Sequence, residues 1–225
     1  MIFTTSWDDG NKLDMKLASL MSKYKIKGTF YIPINWKYRS LSDKDIKKLS
    51  MKFEIGSHSF SHKDMRKLDS KELYSEIIMS KSTLEKMIKT EIRSFAYPFG
   101  HFNDKIVDAV KKSGFLYART ARELQTDFSK DNLKSDITIS LMNRHRGVFL
   151  FKNIISSLTN KLKWEEVARE LLLDVQKKNG VFHLQGHSWE IENEGNWDSL
   201  IQFFDMVSKL DDVNFVSNGD LVSTL

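Results

Sequence analysis

The chain has 225 residues, 40% hydrophobic and 29% charged, the balance of one soluble globular domain rather than a disordered, collagenous or low-complexity chain. Fifteen Phe, six Tyr and five Trp supply a core, and the absence of cysteine excludes disulfides, thiolate metal sites and cysteine nucleophiles. The 35 basic and 30 acidic residues leave a net charge of +5 and a pI near 9.1. The lysines stand singly and in pairs and form no basic stripe, so no nucleic-acid partner is expected.

Met1 leads at once into Ile2 to Trp7, a strand-like run, and then into Asp8-Asp9. No basic, apolar and small-residue secretory pattern opens the sequence, and no apolar run approaches the ~18 residues of a membrane span. A cytoplasmic location is therefore expected for the chain as given. Next, Leu13, Leu17, Leu20, Met21 and Tyr24 keep helical spacing, followed by strand patterns at Thr29 to Ile34 and Phe53 to Ile55. Asp69 with Glu72 three residues on opens a helix whose apolar face is Leu73, Ile77, Leu84 and Ile88. Strand patterns recur at Ser94 to Tyr97, Phe115 to Arg119 and Ile137 to Met142. A clean helical stripe runs through Trp164, Val167, Ala168, Leu171, Leu172 and Val175. Val181 to Gln185 reads as a strand, Leu200 to Leu210 as a helix, and Asn214 to Val216 as the last strand.

This alternation predicts a single α/β domain of parallel strands joined by crossover helices. Gly28, Gly114 and Gly180 each follow a lysine-rich helix end, where a left-handed turn is expected. No linker or composition shift divides residues 1–225.

The unusual polar residues gather after strands: Asp8 and Asp9 after the first, His58 and His62 after the third, Tyr97-Pro98-Phe99-Gly100 at the fourth, and Gln185-Gly186-His187-Ser188-Trp189-Glu190 after the seventh. Parallel sheets keep their sites at those carboxyl ends. Asp8-Asp9-Gly10 reads either as a capped turn or as one carboxylate for a metal beside one for a proton. His58 and His62, four apart, would share one face of a helical turn. They are either surface histidines or, with one aspartate, ligands for Zn²⁺ or a similar ion. Arg93 reads as a surface arginine or as a partner that keeps an aspartate ionised. His187 reads as a packed histidine or as a proton donor. His183 is expected to be packed, and His101 and His145 to be structural or on the rim.

At these residues the chain resembles the NodB-homology polysaccharide deacetylases, metal-dependent enzymes acting on acetylated sugars. The resemblance rests on Thr5-Ser6-Trp7-Asp8-Asp9-Gly10, on Glu54 with His58-Ser59-Phe60-Ser61-His62, on Arg93 with Tyr97-Pro98-Phe99-Gly100, and on Val181 to His187. It spans roughly residues 1 to 220 and implies a distorted (β/α)₇ barrel. It also implies Asp8 as general base, Asp9, His58 and His62 as metal ligands, Arg93 as the tether of Asp8, and His187 as general acid. The backbone N–H of Phe99 would hold the oxyanion, and Tyr97 and Pro98 would line the substrate. Apart from the resemblance, the segment Gln185 to Glu192, with its own Trp189 and Glu190, is expected to form a local substrate rim. One divalent ion is implied, Zn²⁺ first, with Co²⁺ or Ni²⁺ as alternatives.

Two positions depart from the family pattern. No Asp-Trp pair lies between residues 119 and 150, where Asp127 and Asp136 are the nearest aspartates, and the residue before Tyr97 is Ala96. The expected reaction is removal of an acetyl group, most simply an N-acetyl, from a sugar precursor. The alternatives are hydrolysis of a non-sugar linear or cyclic amide, and an inert carbohydrate-binding module.

Overall fold

The structure is a computed structural model and describes residues 1–141 and 163–223. Met142 and His145 lie outside the described residues.

Among the described residues, eight parallel strands form one sheet: β1 (Ile2–Asp8), β2 (Thr29–Ile32), β3 (Glu54–Ser57), β4 (Ser94–Ala96), β5 (Tyr117–Arg119), β6 (Ile139–Ser140), β7 (Val181–Gly186) and β8 (Asn214–Phe215). Seven run in the order β5-β4-β3-β2-β1-β7-β6, and β8 pairs with β1 off that path. This is the expected distorted (β/α)₇ barrel, with β5 and β6 at the ends of the strand order and a bridge from Arg119 to Ser135 alongside β5. The helices are α1 (Asp14–Lys23), α2 (Asp43–Ser50), α3 (Ser70–Ile88), α4 (Asp104–Lys112), α5 (Trp164–Lys178), α6 (Ser188–Asn193) and α7 (Trp197–Ser208).

The two-residue period of β1 sorts its side chains into two chemistries. Phe3 faces the helices, stacked on Phe182 at 5.3 Å and tilted against Phe203, which packs on Trp164. Thr4, Ser6 and Asp8 face the barrel interior and are buried there among polar partners. Asn218, wholly buried near the C-terminus, donates to Thr4 Oγ1 at 2.8 Å and accepts from Tyr31 Oη at 3.0 Å. It packs into the amino-terminal end of the barrel, and the site therefore opens at the carboxyl end.

Helix starts follow local chemistry. Asp69 caps α3 and forms the reciprocal capping box with Glu72, as the sequence predicts. Ser42 does the same for α2 with Asp45. The expectation for the glycines holds only at Gly114, whose φ is +78°. At the other two helix ends the left-handed residues are Lys25 and Asn179, at φ 57° and 52°. Gly28 and Gly180 are instead sites of close approach. A Cβ on either would lie 2.0 Å from Thr5 Oγ1 or from the Thr126 carbonyl oxygen respectively.

Candidate active site

β1 ends at Asp8, and the chain turns sharply through Asp9 (φ 79°) and Gly10 (φ 63°), so the adjacent carboxylates diverge. Asp8 is buried, and its Oδ2 accepts from the Arg119 guanidinium and from Gln185 Nε2. Its Oδ1 has no hydrogen-bond partner. Burial would raise its pKa, but the Arg119 charge, helped by His58 and His187, outweighs this and holds Asp8 well below the usual carboxylate range.

After β3, His58 and His62 come together without the expected helical turn. Ser59 and His62 both take left-handed backbone, φ 62° and 54°, and the His62 amide donates to Ser59 Oγ at 3.0 Å. Glu76 of α3 clamps this loop. Its carboxylate accepts from the Ser61 amide at 2.8 Å and the Ser61 hydroxyl at 2.5 Å. The His58 Nδ1 lies 2.8 Å from the Ala96 carbonyl, which only accepts, so Nδ1 carries the proton and Nε2 offers a lone pair. Trp36 stacks on the His62 ring at 4.4 Å.

The two Nε2 atoms are 3.1 Å apart, and Asp9 Oδ1 lies 3.8 Å from that of His58 and 3.5 Å from that of His62. Asp9 Oδ1 is buried with no hydrogen-bond partner. Burial lowers the pKa of both histidines, to about 3 for His58, so they are neutral donors at pH 7. Burial also raises Asp9 to about 6, with Asp8 adding to the shift and His187 opposing it. Ligand atoms of these three residues lie within 4.8 Å of one another, and two neutral imidazoles with an unpartnered carboxylate oxygen fit a divalent cation.

His187, directly after β7, approaches from the other side. Its Nε2 lies 3.8 Å from Asp8 Oδ2 and 3.6 Å from Asp9 Oδ2. Its Nδ1 is 2.6 Å from Glu190 Oε2. Burial would lower its pKa, but the Glu190 hydrogen bond and the charges of Asp8 and Asp9 raise it to about 9. The imidazole is thus a cation at neutral pH. The cleft encloses about 650 Å³, with Trp36, Phe99 and Trp189 among its walls.

Arg93 requires correction. It precedes β4, at the opposite end of the strand from the site, and its Nη2 pairs with Asp220 Oδ1 at 2.8 Å. The tether of Asp8 is Arg119, the last residue of β5, almost wholly buried with its guanidinium 5.2 Å from the Tyr31 ring centroid. Neither Asp127 nor Asp136 supports that arginine. Asp136 accepts from Thr120 and Arg122, and Asp127 lies 4.0 Å from Lys178.

Of the residues expected to line the substrate or hold the oxyanion, Tyr97, Phe99 and Trp189 line the cleft and Pro98 does not. Tyr97 is buried as a wall and donates its hydroxyl to the Leu133 carbonyl at 2.7 Å, and the buried Pro98 begins the turn beside it. Phe99, at φ 59°, is 58% exposed at the rim. The Trp189 indole N–H donates to Asp9 Oδ2 at 3.2 Å, so this residue holds the aspartate as well as lining the cleft. His183 is packed against Ser6, and His101, 3.4 Å from Asp64, is not among the residues lining the cleft. Sequence reasoning missed Arg119 and Glu76, and it marked Gln185 only as one of the polar residues after the seventh strand, not as a partner of Asp8. Arg119 and Gln185 carried one signal, in that each stands at the carboxyl end of a strand the hydrophobic pattern marks.

Fold and site together define a parallel α/β barrel with an ionised aspartate, an Asp9, His58 and His62 cluster that could hold a cation, and a cationic imidazole at one mouth. The chain belongs to the polysaccharide deacetylase family, whose pattern matches residues 2–118. It is 29% identical over 108 residues to the uncharacterized protein YlxY of Bacillus subtilis, covering 48% of this chain and 33% of that one. It is 22% identical over 107 residues to a bifunctional xylanase/deacetylase of Pseudobutyrivibrio xylanivorans, covering 46% and 17%. These matches thus span a third or less of the curated relatives' length. In fold it resembles a Mycobacterium smegmatis protein assigned as a polysaccharide deacetylase, with a TM-score of 0.75, 15% identity and coverage of 99% and 89%. It also resembles a family 4 acetyl xylan esterase from Clostridium thermocellum, solved with a cobalt ion, with a TM-score of 0.64, 16% identity and coverage of 100% and 91%.

Proposed function

We propose that this chain hydrolyses an acetyl group, an N-acetyl in the simplest case, from a sugar or glycan precursor with the help of one divalent cation. The observation that carries the reading is the pairing of an ionised Asp8 and a cationic His187 across a cluster of cation-ligand atoms in one cleft. Asp9, His58 and His62 would hold the cation, Zn²⁺ first or else Co²⁺ or Ni²⁺. When bound, it would supply Lewis-acid polarisation of the acetyl carbonyl and acidify water.

The protein groups divide the proton work. Asp8 presents its unpartnered Oδ1 to accept the proton of the attacking water, while Arg119 and Gln185 fix the other oxygen. The water oxygen bonds to the acetyl carbon, and the Phe99 N–H contributes a donor to the developing oxyanion. As the C–N bond breaks, His187 Nε2 delivers a proton to the departing nitrogen, because an amine leaves poorly unless protonated. The products are acetate and a free amino sugar. The aromatic rings of Trp36, Phe99 and Trp189 offer apolar faces to the sugar.

The test is acetate release from free, nucleotide-linked and oligomeric N-acetyl sugars, using protein stripped with chelator and refilled with Zn²⁺, Co²⁺ or Ni²⁺. Acetate lost on stripping and restored by metal supports the reading. Stoichiometric metal binding without acetate moves it to a non-sugar amide. The His187→Ala variant is expected to lose ~10²–10⁴ in kcat, and near-full turnover would remove His187 from its role.

A further inference from the structure

Asp14 is a carboxylate that the reaction above leaves unused. It lies in the first turn of α1, is wholly buried, and does not cap its own helix. Its Oδ1 instead accepts the Ser188 hydroxyl at 2.5 Å, and Oδ2 has no hydrogen-bond partner. Ser188 is equally buried and is the first residue of α6, directly after His187. Burying a carboxylate away from water is costly, and here a single long-range hydrogen bond, between residues 174 positions apart, accompanies that cost.

The six residues of α6 are too few to hold a helix by themselves, so its position depends on what it docks against. Three groups of the site depend on that position: His187 at its N-cap, Glu190 on His187, and Trp189 on Asp9. The same turn of α1 reaches the far end of α6 as well. Lys16 Nζ lies 3.3 Å from Glu192 Oε2 and 4.0 Å from the Trp197 ring centroid just beyond.

From this geometry we infer that Asp14 is a positioning residue, which locks α6 through Ser188 and so aims His187 across the cleft at Asp8 and Asp9. The stretch from Asp8 to Lys16 then supplies the base, one cation ligand and the anchor of the acid arm in one run of chain. The inference rests on the proposed role of His187 as proton donor. Its contact with α6 is measurable without turnover.

Two measurements on the full chain loaded with Zn²⁺ test it. Asp14→Leu removes the acceptor while keeping the bulk, and Ser188→Ala removes the donor. Displacing a catalytic group by as little as 1 Å costs up to ~10²-fold, so each is expected to lower kcat ~10- to 100-fold with KM little changed. The double variant should be no worse than the poorer single one, since both break the same bond. Asp14→Asn keeps the acceptor oxygen and should restore most of kcat. Hydrogen–deuterium exchange is expected to speed up at residues 187–193 in Asp14→Leu and Ser188→Ala while α5 stays protected. If Asp14→Leu does not fold, Ser188→Ala carries the test. Unchanged kcat with unchanged exchange at 187–193 would overturn the inference, as would a rise in KM alone. If the parent protein releases no acetate from any sugar, the exchange result still decides whether Asp14 holds α6, and only the deacetylase reading falls.

Discussion

At the scale of single residues the decisive contact is Arg119 with Asp8, two charges almost wholly removed from water. Removing one member of such a pair leaves the other uncompensated at a cost of about 3–5 kcal/mol. Arg119→Ala is therefore expected to lower both the thermal midpoint and kcat sharply. Arg93→Ala breaks only a partly exposed pair with Asp220, worth about 0–1 kcal/mol, and should leave acetate release near that of the parent. Kinetics and melting curves of the two variants side by side separate these roles. Local pattern reading chose the wrong arginine for a physical reason. Arg93 stands in the right sequence neighbourhood, but it precedes its strand, and a parallel barrel sends the two ends of a strand to opposite mouths. Asp8, Asp9 and His187 were legible because each stands at or just after the carboxyl end of a strand, on the site side.

At the scale of elements, the strands and the longer helices were legible because each has a continuous apolar face. α3 buries Leu73, Ile77 and Leu84 behind a capping box, and α5 buries six residues from Trp164 to Val175. α2 and α4 were not read, since each buries only two hydrophobic residues, Ile46 and Leu49 in one and Ile106 and Val110 in the other. The segment from His58 to His62 shows tertiary contacts overriding a local period. The four-residue spacing suits a helix, yet Glu76 and two left-handed residues fold it into a loop that still joins both rings. Glu76 thus supports the loop that carries the two histidines proposed as cation ligands. Glu76→Ala is expected to weaken Zn²⁺ affinity ~10- to 100-fold, read by competition with a chromogenic chelator. Affinity equal to the parent's would show that the loop holds its shape unaided.

At the scale of the whole molecule, buried titratable groups set how stability follows pH. His187 has a folded pKa raised to about 9 by Glu190, Asp8 and Asp9 against the opposing effect of burial. The stability it contributes is complete below its unfolded value near 6.5 and is lost as pH rises through 9. Asp14 is raised to about 8, by burial first and then by Asp9 and Asp8, against its bond to Ser188 and the His187 charge. A raised carboxylate penalises the fold increasingly as pH climbs from the unfolded value of about 4 through 8. Both signs agree, so the metal-free protein should melt at progressively lower temperature from pH 6.5 to 9. Asp14→Asn removes one contribution and should flatten that decline, which a pH series of melting curves in chelator would register. A parallel decline in parent and variant would show that Asp14 titrates as an ordinary carboxylate.

The central place of β1 also bears on how the chain folds. Its register runs Ser6 to Asp8 against β2 on one side and Ile2 to Trp7 against β7 on the other, with β8 beside its beginning. The earliest of these eight strands to be synthesised therefore waits for the seventh before its second edge is satisfied. Pairings this distant in sequence slow folding, because chain entropy is spent before the contacts form. While β7 is still inside the ribosome, β1 offers an open edge and Asp8 lacks Gln185. Intermediates halted there would be prone to pair with one another, which makes synthesis rate and chaperone supply direct determinants of how much protein is recovered.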